Sequence, residues 1–249
     1  MSQRIHVHLL PSLFEPAEVQ GRTVVVVDVL RASTTMTHAL ANGAKRVVPC
    51  LSVEQAIELR AASPPETCLL GGERGGVKID GFDLSNSPDD YTPDVVHGKT
   101  IGFTTTNGTQ ALLRAHQAKQ ILVGSFVNLS AIAQRLATAD SSIHIVCAGT
   151  NGAVTGEDVL FAGALVVALR NLQPEMEVTD AAVIAESHWK QRCGTLSQQV
   201  VETALLRSQG GHNLTLLGYQ KDVATAAAVD SVPVIGMLDA DGSIRVLPE

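Results

Sequence analysis

Short apolar runs recur along this chain, each breaking into a polar or glycine-rich loop that leads to a segment of helical character. The most constraining is Thr23-Val24-Val25-Val26-Val27, which stops at Asp28. A β-branched run with no polar alternation needs both faces covered, as in the middle of a parallel sheet. Ile5 to Leu10 alternates and reads as a strand. Lys45–Cys50, Thr67–Leu70, Lys99–Phe103, Gln120–Val123 and Ser142–Cys147 read as further strands. Val232–Met237 and Ile244–Leu247 form a last pair, joined through a hairpin turn at Asp239-Ala240-Asp241-Gly242.

Helical segments fall between these runs. One spans Ser33–Leu40 and stops at Asn42-Gly43. Another spans Val53–Ala62, capped by Ser52 with Gln55 three residues on, and Pro64-Pro65 breaks it. Asn86 to Asp90 starts a short one. An Ala/Leu-rich helix follows Thr109, and Asn128 or Ser130 caps a helix through Ala137. Glu157 to Leu169 carries apolar residues at helical spacing, and helices are expected near 179–187 and 197–208. The pattern is α/β: a mainly parallel or mixed sheet with flanking helices, and antiparallel edge strands at the termini. No linker divides the chain. It reads as a single α/β catalytic unit over 1–249, with 120–140 as the point of any subdivision.

With 249 residues, 45 % of them apolar, the chain has material for a sizeable core, so overall disorder is excluded. It holds no apolar run long enough to span a membrane, and its opening lacks the apolar stretch of a secretory signal. A cytoplasmic protein is expected. The net charge is −7, there is no Lys/Arg block, and the aromatics are one Trp, two Tyr and five Phe. That balance argues against nucleic acid as partner but leaves a small anion open, because a few local donors suffice to bind one. The four cysteines, 50, 68, 147 and 193, form no metal-binding spacing and read as reduced thiols. His6 and His8 share a strand face with no clear third ligand, and His188 reads as packing or surface.

Four constellations carry chemistry. In Asp28-Val29-Leu30-Arg31-Ala32-Ser33-Thr34-Thr35 a carboxylate leaves a buried strand, and an arginine and hydroxyls follow at a helix start. Backbone N–H groups there receive an oxyanion, Arg31 grips it bidentately, and Asp28 binds a hard cation or acts as a base. The structural alternative is an Asp cap beside a surface Arg. Position 30 is Leu, so the second acid of the haloacid-dehalogenase phosphatases is missing. Gly71-Gly72-Glu73-Arg74-Gly75-Gly76 permits close backbone approach and an anion nest, with Lys78 as a further donor. The alternative is a tight turn with a surface ion pair. Thr104 to Thr109 offers neutral donors before a helix, or simple capping. Glu157-Asp158 at a helix start suits dipole capping or Mg²⁺. Thr-Asn-Gly also ends two apolar runs, at 106–108 and 150–152, so two similar loops are expected to flank one ligand at the carboxyl ends of neighbouring strands.

Taken in order, Val24–Thr35, Gly72-Glu73-Arg74, Gly81-Phe82-Asp83 with Asn86-Ser87-Pro88, Thr104–Thr109, Cys147–Asp158 and Leu217–Val223 resemble the 2-phosphosulfolactate phosphatase family, the ComB-like proteins. The resemblance covers roughly positions 5–237. It departs at 224–228, Ala-Thr-Ala-Ala-Ala, where many relatives are expected to carry a cysteine. The resemblance implies a distinct α/β fold and a magnesium-dependent phosphatase that converts (R)-2-phospho-3-sulfolactate to 3-sulfolactate and phosphate. In some archaea that step belongs to coenzyme M biosynthesis. Within this reading Asp28, Arg31 and Glu157 are catalytic. Asp28, Glu73, Glu157 and Asp158 hold Mg²⁺ directly or through water. Arg31, Ser33, Thr34, Arg74, Thr105, Thr106, Asn107, Gly108, Thr150, Asn151 and Gly152 bind the small anionic substrate. A metal-ordered water attacks phosphorus, with covalent catalysis by Asp28, Ser33 or Cys147 left open. The alternatives are a phosphatase for another small phosphorylated hydroxy acid and a non-catalytic anion-binding relative. The low charge density and the many Ala, Val and Leu permit a homodimer.

Overall fold

Thr23–Val27 is buried at every position, as its composition requires. The computed structural model describes residues 3–248. In chain order the elements are β1 (Arg4–His8), β2 (Thr23–Val27), α1 (Ala32–Ala41), β3 (Arg46–Pro49), α2 (Val53–Ala61), β4 (Cys68–Arg74), β5 (Val77–Lys78), α3 (Pro93–Val96), β6 (Thr100–Thr104) and α4 (Gly108–Arg114). Then come β7 (Gln120–Gly124), α5 (Leu129–Ala137), β8 (Ile143–Cys147), α6 (Gly156–Leu172), β9 (Glu177–Val178), α7 (Asp180–Arg192), α8 (Gln198–Leu206), α9 (Gln209–Leu216), α10 (Gln220–Ala226), β10 (Gly236–Leu238) and β11 (Ile244–Val246).

Among the described residues eleven strands form one mixed sheet, ordered β5-β4-β6-β3-β11-β10-β7-β2-β8-β1-β9. β4, β6 and β3 form one parallel block. β7, β2, β8, β1 and β9 form another. The β10–β11 hairpin joins them and is antiparallel to β7 on one side and β3 on the other, so the two blocks run in opposite senses. Here the structure corrects the sequence reading. The C-terminal hairpin lies at the centre of the sheet, and β1 lies inside it between β8 and β9. The hairpin belongs there because its apolar side is core: Ile244 is fully buried and packs with Val47, Val123 and Leu40. The strand predicted from Val232 begins only at Gly236.

The sheet is strongly curled. Four strands separate β2 from β6, roughly 24 Å along a flat sheet. Yet Gly108, beyond β6, lies against Asp28, beyond β2: a Cβ on Gly108 would sit 2.9 Å from Asp28 Oδ2. The curl wraps α1. Met36, Ala39 and Leu40 share one cluster with Val24 and Val26 of β2 and with Val47 and Ile101 of the other block. On the opposite face Val25 and Val27 pack with Leu129, Ile132, Phe161, Leu165 and Trp189 from α5, α6 and α7. Each buried valine contributes about 2 kcal/mol. The buried hydroxyls of α1 are satisfied: Thr34 donates to Val29 O at 2.8 Å, Thr35 to Asn86 O at 2.8 Å and Thr37 to Ser33 O at 2.8 Å. Ser52 caps α2 as predicted, accepting from Gln55 N at 3.3 Å, while Gln55 reaches one residue further back, to Leu51 N.

Pairing of β1 with β8 sets His6 opposite His144. The His6 and His144 rings stack at 4.3 Å, and His8 Nε2 lies 2.9 Å from His144 Nδ1. Burial first, then neighbouring positive charge, pushes His8 down to about 4 and His144 to about 3. Both rings are therefore neutral near neutral pH, and the pair is held by one hydrogen bond rather than by an ion.

The unfolded chain takes up these protons at the ordinary imidazole pKa, the folded chain only at lower pH. This contribution to stability is therefore complete above about 6.5 and is lost as pH falls toward about 4. Denaturant titrations at pH 7.5 and pH 4.5 should show a loss of a few kcal/mol on acidification, and the variant His8→Gln/His144→Gln should lose clearly less. Equal losses in the two proteins would count against the pair.

Candidate active site

The loops after β2, β6 and β8 meet the end of β4 and the start of α9 around a cavity of about 210 Å³. Asp28 and Arg31 come from the first loop, Thr106 and Asn107 from the second, and Thr150 and Asn151 from the third. Glu73 and the Gly75-Gly76 turn close one side, with Asn86 beside them; Gly210, Asn213, Leu214 and Leu217 close another. The two Thr-Asn-Gly loops do come together, since Asn151 N donates to Asn107 Oδ1 at 2.9 Å. The strands they follow, β6 and β8, are not the neighbours expected: five strands lie between them, and the curl of the sheet brings their ends together. Gly152 belongs to the second of these loops without lining the cavity.

Asp28 caps α1 from the strand end. Its Oδ1 accepts from Ala32 N at 3.3 Å, and its own N–H donates to Ser33 Oγ at 2.9 Å. The Leu30–Arg31 peptide bond in this turn is cis. Capping and placement at the cavity, alternatives in the sequence, are thus one feature here. Ser33 and Thr34 are completely buried, and their hydroxyls are used inside: Ser33 on Asp28 N, Thr34 on Val29 O and Ser125 Oγ. They build the turn rather than face the cavity.

Arg31 is almost wholly buried. Its Nη1 donates to Asp222 Oδ2 at 2.6 Å, its Nη2 to Gly76 O at 2.6 Å, and its guanidinium lies 4.3 Å from the centre of the Tyr219 ring. Ser87 Oγ donates to the other oxygen of Asp222 at 2.7 Å. A guanidinium has five N–H donors in a plane, so two such bonds leave three. Arg74, expected to grip an anion, does not line the cavity: its Nη2 donates to Thr104 Oγ1 at 2.9 Å and its Nη1 to Glu73 O at 2.8 Å. Lys78 donates to Asp83 O. The glycine-rich turn is a nest, but the anion in it is the chain's own. Glu73 Oε2 accepts from Gly76 N at 2.7 Å and Oε1 from Thr106 N at 2.8 Å.

The acids at the start of α6 divide their work. Asp158 Oδ1 accepts from Val29 N at 2.9 Å, and Oδ2 accepts from Gly149 N at 3.0 Å and from the Thr155 hydroxyl at 3.3 Å. It ties two loops together. Glu157 Oε2 is buried and has no hydrogen-bond partner. A Cβ on Gly210 would lie 2.2 Å from Glu157 Oε1, so only glycine lets α9 come this close. Asn86 Oδ1, Thr105 Oγ1 and Thr106 Oγ1 are likewise buried without partners. Such atoms are rare: Asn86 and Thr106 line the cavity, Thr105 precedes Thr106 in the same loop, and Glu157 lies against Gly210 of the wall, so the group calls for a ligand.

Burial raises Asp28 to about 7, opposed by the Ala32 N–H and reinforced by the charges of Glu73 and Glu157. Asp158 is raised by burial, then by Asp28 and Glu157. Glu157 is raised by burial and drawn back by its own N–H, Ser208 and Gly210. Cys147, raised by burial and these acids, is a core thiol. Among the described residues no group of three or more His, Cys, Asp or Glu could hold a metal ion. The acids crowd one another without forming a cage. Asp28 Oδ2 and Glu157 Oε2 are the oxygens left without a donor. That fits an ion held by one or two carboxylates that completes its shell with water and substrate oxygens, as Mg²⁺ does.

The sequence reading assigned no role to Asn86, Gly210, Asn213, Leu214, Leu217 or Asp222. Two signals bore on them: the fragments Asn86-Ser87-Pro88 and Leu217–Val223 belong to the family resemblance, and Gly210-Gly211 interrupts an otherwise helical stretch.

Two predictions follow from these contacts. Asp222→Ala strands a buried guanidinium and should lower unfolding free energy by about 3–5 kcal/mol in urea titrations, whereas Arg31→Met/Asp222→Leu should recover much of that loss. A double variant no more stable than the single one would contradict the pairing. Asp28 is raised in the folded state, so its contribution to stability is complete below its unfolded value and is lost as pH rises through about 7. In metal-free buffer, the melting temperature of Asp28→Asn should therefore exceed that of the native protein at pH 8, and the gap should shrink toward pH 5.

The family model for 2-phosphosulpholactate phosphatase matches residues 8–241. A probable 2-phosphosulfolactate phosphatase of Caldanaerobacter subterraneus subsp. tengcongensis is 40 % identical over 228 residues, covering 92 % of each chain. Proteins described in the same words are 39 % identical in Symbiobacterium thermophilum, over 92 % of this chain and 96 % of that one, and 35 % identical in Clostridium perfringens, over 93 % and 92 %. Among the described residues no helix is long and apolar enough to cross a membrane. A mixed α/β sheet with flanking helices, a polar cavity at its strand ends and a match over nearly the whole length identify this chain as a member of the 2-phosphosulfolactate phosphatase family, a family of phosphatase-type hydrolases.

Proposed function

We propose that this protein hydrolyses (R)-2-phospho-3-sulfolactate to 3-sulfolactate and phosphate, with Mg²⁺ as cofactor. One observation carries the reading beyond family membership: two residues that line the cavity, Asn86 and Thr106, and two that adjoin its wall, Thr105 and Glu157, each keep a buried polar atom without a partner. A substrate with a phosphate, a sulfonate and a carboxylate needs several separate donor sets. The cavity has them in Arg31, in the Thr106-Asn107 and Thr150-Asn151 loops, and in Asn213.

Asp28 and Glu157 are the residues that would hold Mg²⁺. Bound there, the ion would neutralise the acids and polarise a phosphoryl oxygen. The remaining donors of Arg31, held in place by Asp222, bind the equatorial phosphoryl oxygens, where charge grows in the transition state. The Thr106 hydroxyl donates to the substrate and so fills its own missing bond. Asn107, Asn151 and Asn213 orient the other anionic groups. Leu30, Leu214 and Leu217 cover the apolar side and exclude bulk water. A water attacks phosphorus opposite the ester oxygen, and one of the acids at the site takes its proton. The phosphorus–ester oxygen bond breaks, and that oxygen leaves as the hydroxyl of sulfolactate once it gains a proton. We place the activity in the cytoplasm, where four free thiols stay reduced.

Phosphate release from racemic 2-phospho-3-sulfolactate, measured with and without added Mg²⁺, tests the reading. Release should require the ion, stop at half of the racemate, exceed release from phospholactate and phosphoglycolate, and fall by at least about a hundredfold in Asp28→Asn. Faster release from phospholactate would move the assignment to another phosphorylated hydroxy acid. Binding without release, with Mg²⁺ or Mn²⁺, would make the protein an anion-binding relative.

A further inference from the structure

A second cavity, of about 460 Å³, opens where α7 and α8 meet the start of α6 and the turn into α9. Its charged lining is of one sign. Arg192 and Arg207 border it beside the neutral ring of His188, and no Asp or Glu does, in a chain whose net charge is −7. Among the described residues neither arginine makes an ion pair. Arg192 ends α7 and Arg207 caps the end of α8. A helix C-terminus welcomes a cation, which explains each arginine alone. It does not explain why both border one concave space beside a histidine that burial, and then Arg192, hold below its usual pKa. Gln199, Thr203 and Ser208 add polar groups, and Leu160, Val200 and Ala204 form an apolar part of the wall. Unpaired guanidinium groups, neutral donors and an apolar wall are what an anion with a hydrocarbon body requires.

We propose that this cavity is a second ligand site, for an organic anion with a phosphate, phosphonate or carboxylate head and a small apolar body. It is separate from the acid-lined cavity but shares a wall with it. Gly156 borders the second cavity and precedes Glu157. Ser208 and Gln209 border it and lead to Gly210, which lies against Glu157 Oε1. An occupant therefore bears on the backbone that positions Glu157. Binding itself does not depend on the phosphatase reading.

Isothermal titration of the metal-free protein with phenylphosphonate, whose carbon–phosphorus bond resists hydrolysis, tests the site. Arg192 and Arg207 are exposed, so R192A/R207A should fold, and it should bind at least about tenfold more weakly than the native protein. The charge-retaining R192K/R207K should stay within a few-fold and guards against a folding artefact. N107A/N213A, altered only in the acid-lined cavity, should bind as the native protein does. Hydrogen exchange at 156–160 and 207–211 should slow on binding. No heat with the native protein, unchanged affinity in R192A/R207A, or loss of binding only in N107A/N213A would overturn the proposal.

Discussion

Asp158 accepts the Val29 amide on one oxygen and the Gly149 amide on the other, and the site rests on that pair of bonds. One loop follows β2 and the other follows β8, so a carboxylate at the start of α6 sets the spacing of two strand ends. The arrangement is costly without its donors. A carboxylate buried this far resists ionisation, and the charges of Asp28 and Glu157 raise its pKa further. Backbone amides and the α6 dipole are what hold it in place. Glu73 does the same work on the opposite wall, joining the Gly76 turn to Thr106.

Two acids brace and two are left over. The division follows from counting donors: each oxygen of Asp158 and Glu73 has an N–H, whereas Asp28 and Glu157 each keep an oxygen without one. Arg31 sits between these roles. Asp222, Gly76 and Tyr219 fix its plane, so its long side chain is already ordered. Asp222 comes from α10 and Ser87 from the segment before α3, so α10 is fastened to the loop after β2 by one buried ion pair.

Much of this was legible in the residues. The unbroken valines of β2 announced a central strand, and Asp28 announced its end. The paired Thr-Asn-Gly loops announced a shared site, and the hydrogen bond from Asn151 to Asn107 joins them. The sheet order was not legible, because the place of the hairpin depends on which strand edges remain free after the others pair. Nor did residue type separate Arg31 from Arg74. Both lie at the ends of strands, and only the fold decides that Thr104 occupies one while the other borders the cavity. Ser33 and Thr34 misled for a related reason: a hydroxyl at a helix start serves a ligand or a neighbouring carbonyl equally well, and burial decides between them.

The position of the β10–β11 hairpin has a consequence for how the chain assembles. Until residues 236–246 are available, the two parallel blocks have no common strand, and β3 and β7 each present an unpaired edge. The final hydrogen bonds of the sheet join segments nearly two hundred residues apart, since Ile244 pairs with Val47. A nascent polypeptide of this topology carries two sticky half-sheets until the β10–β11 ribbon emerges and seals them into one.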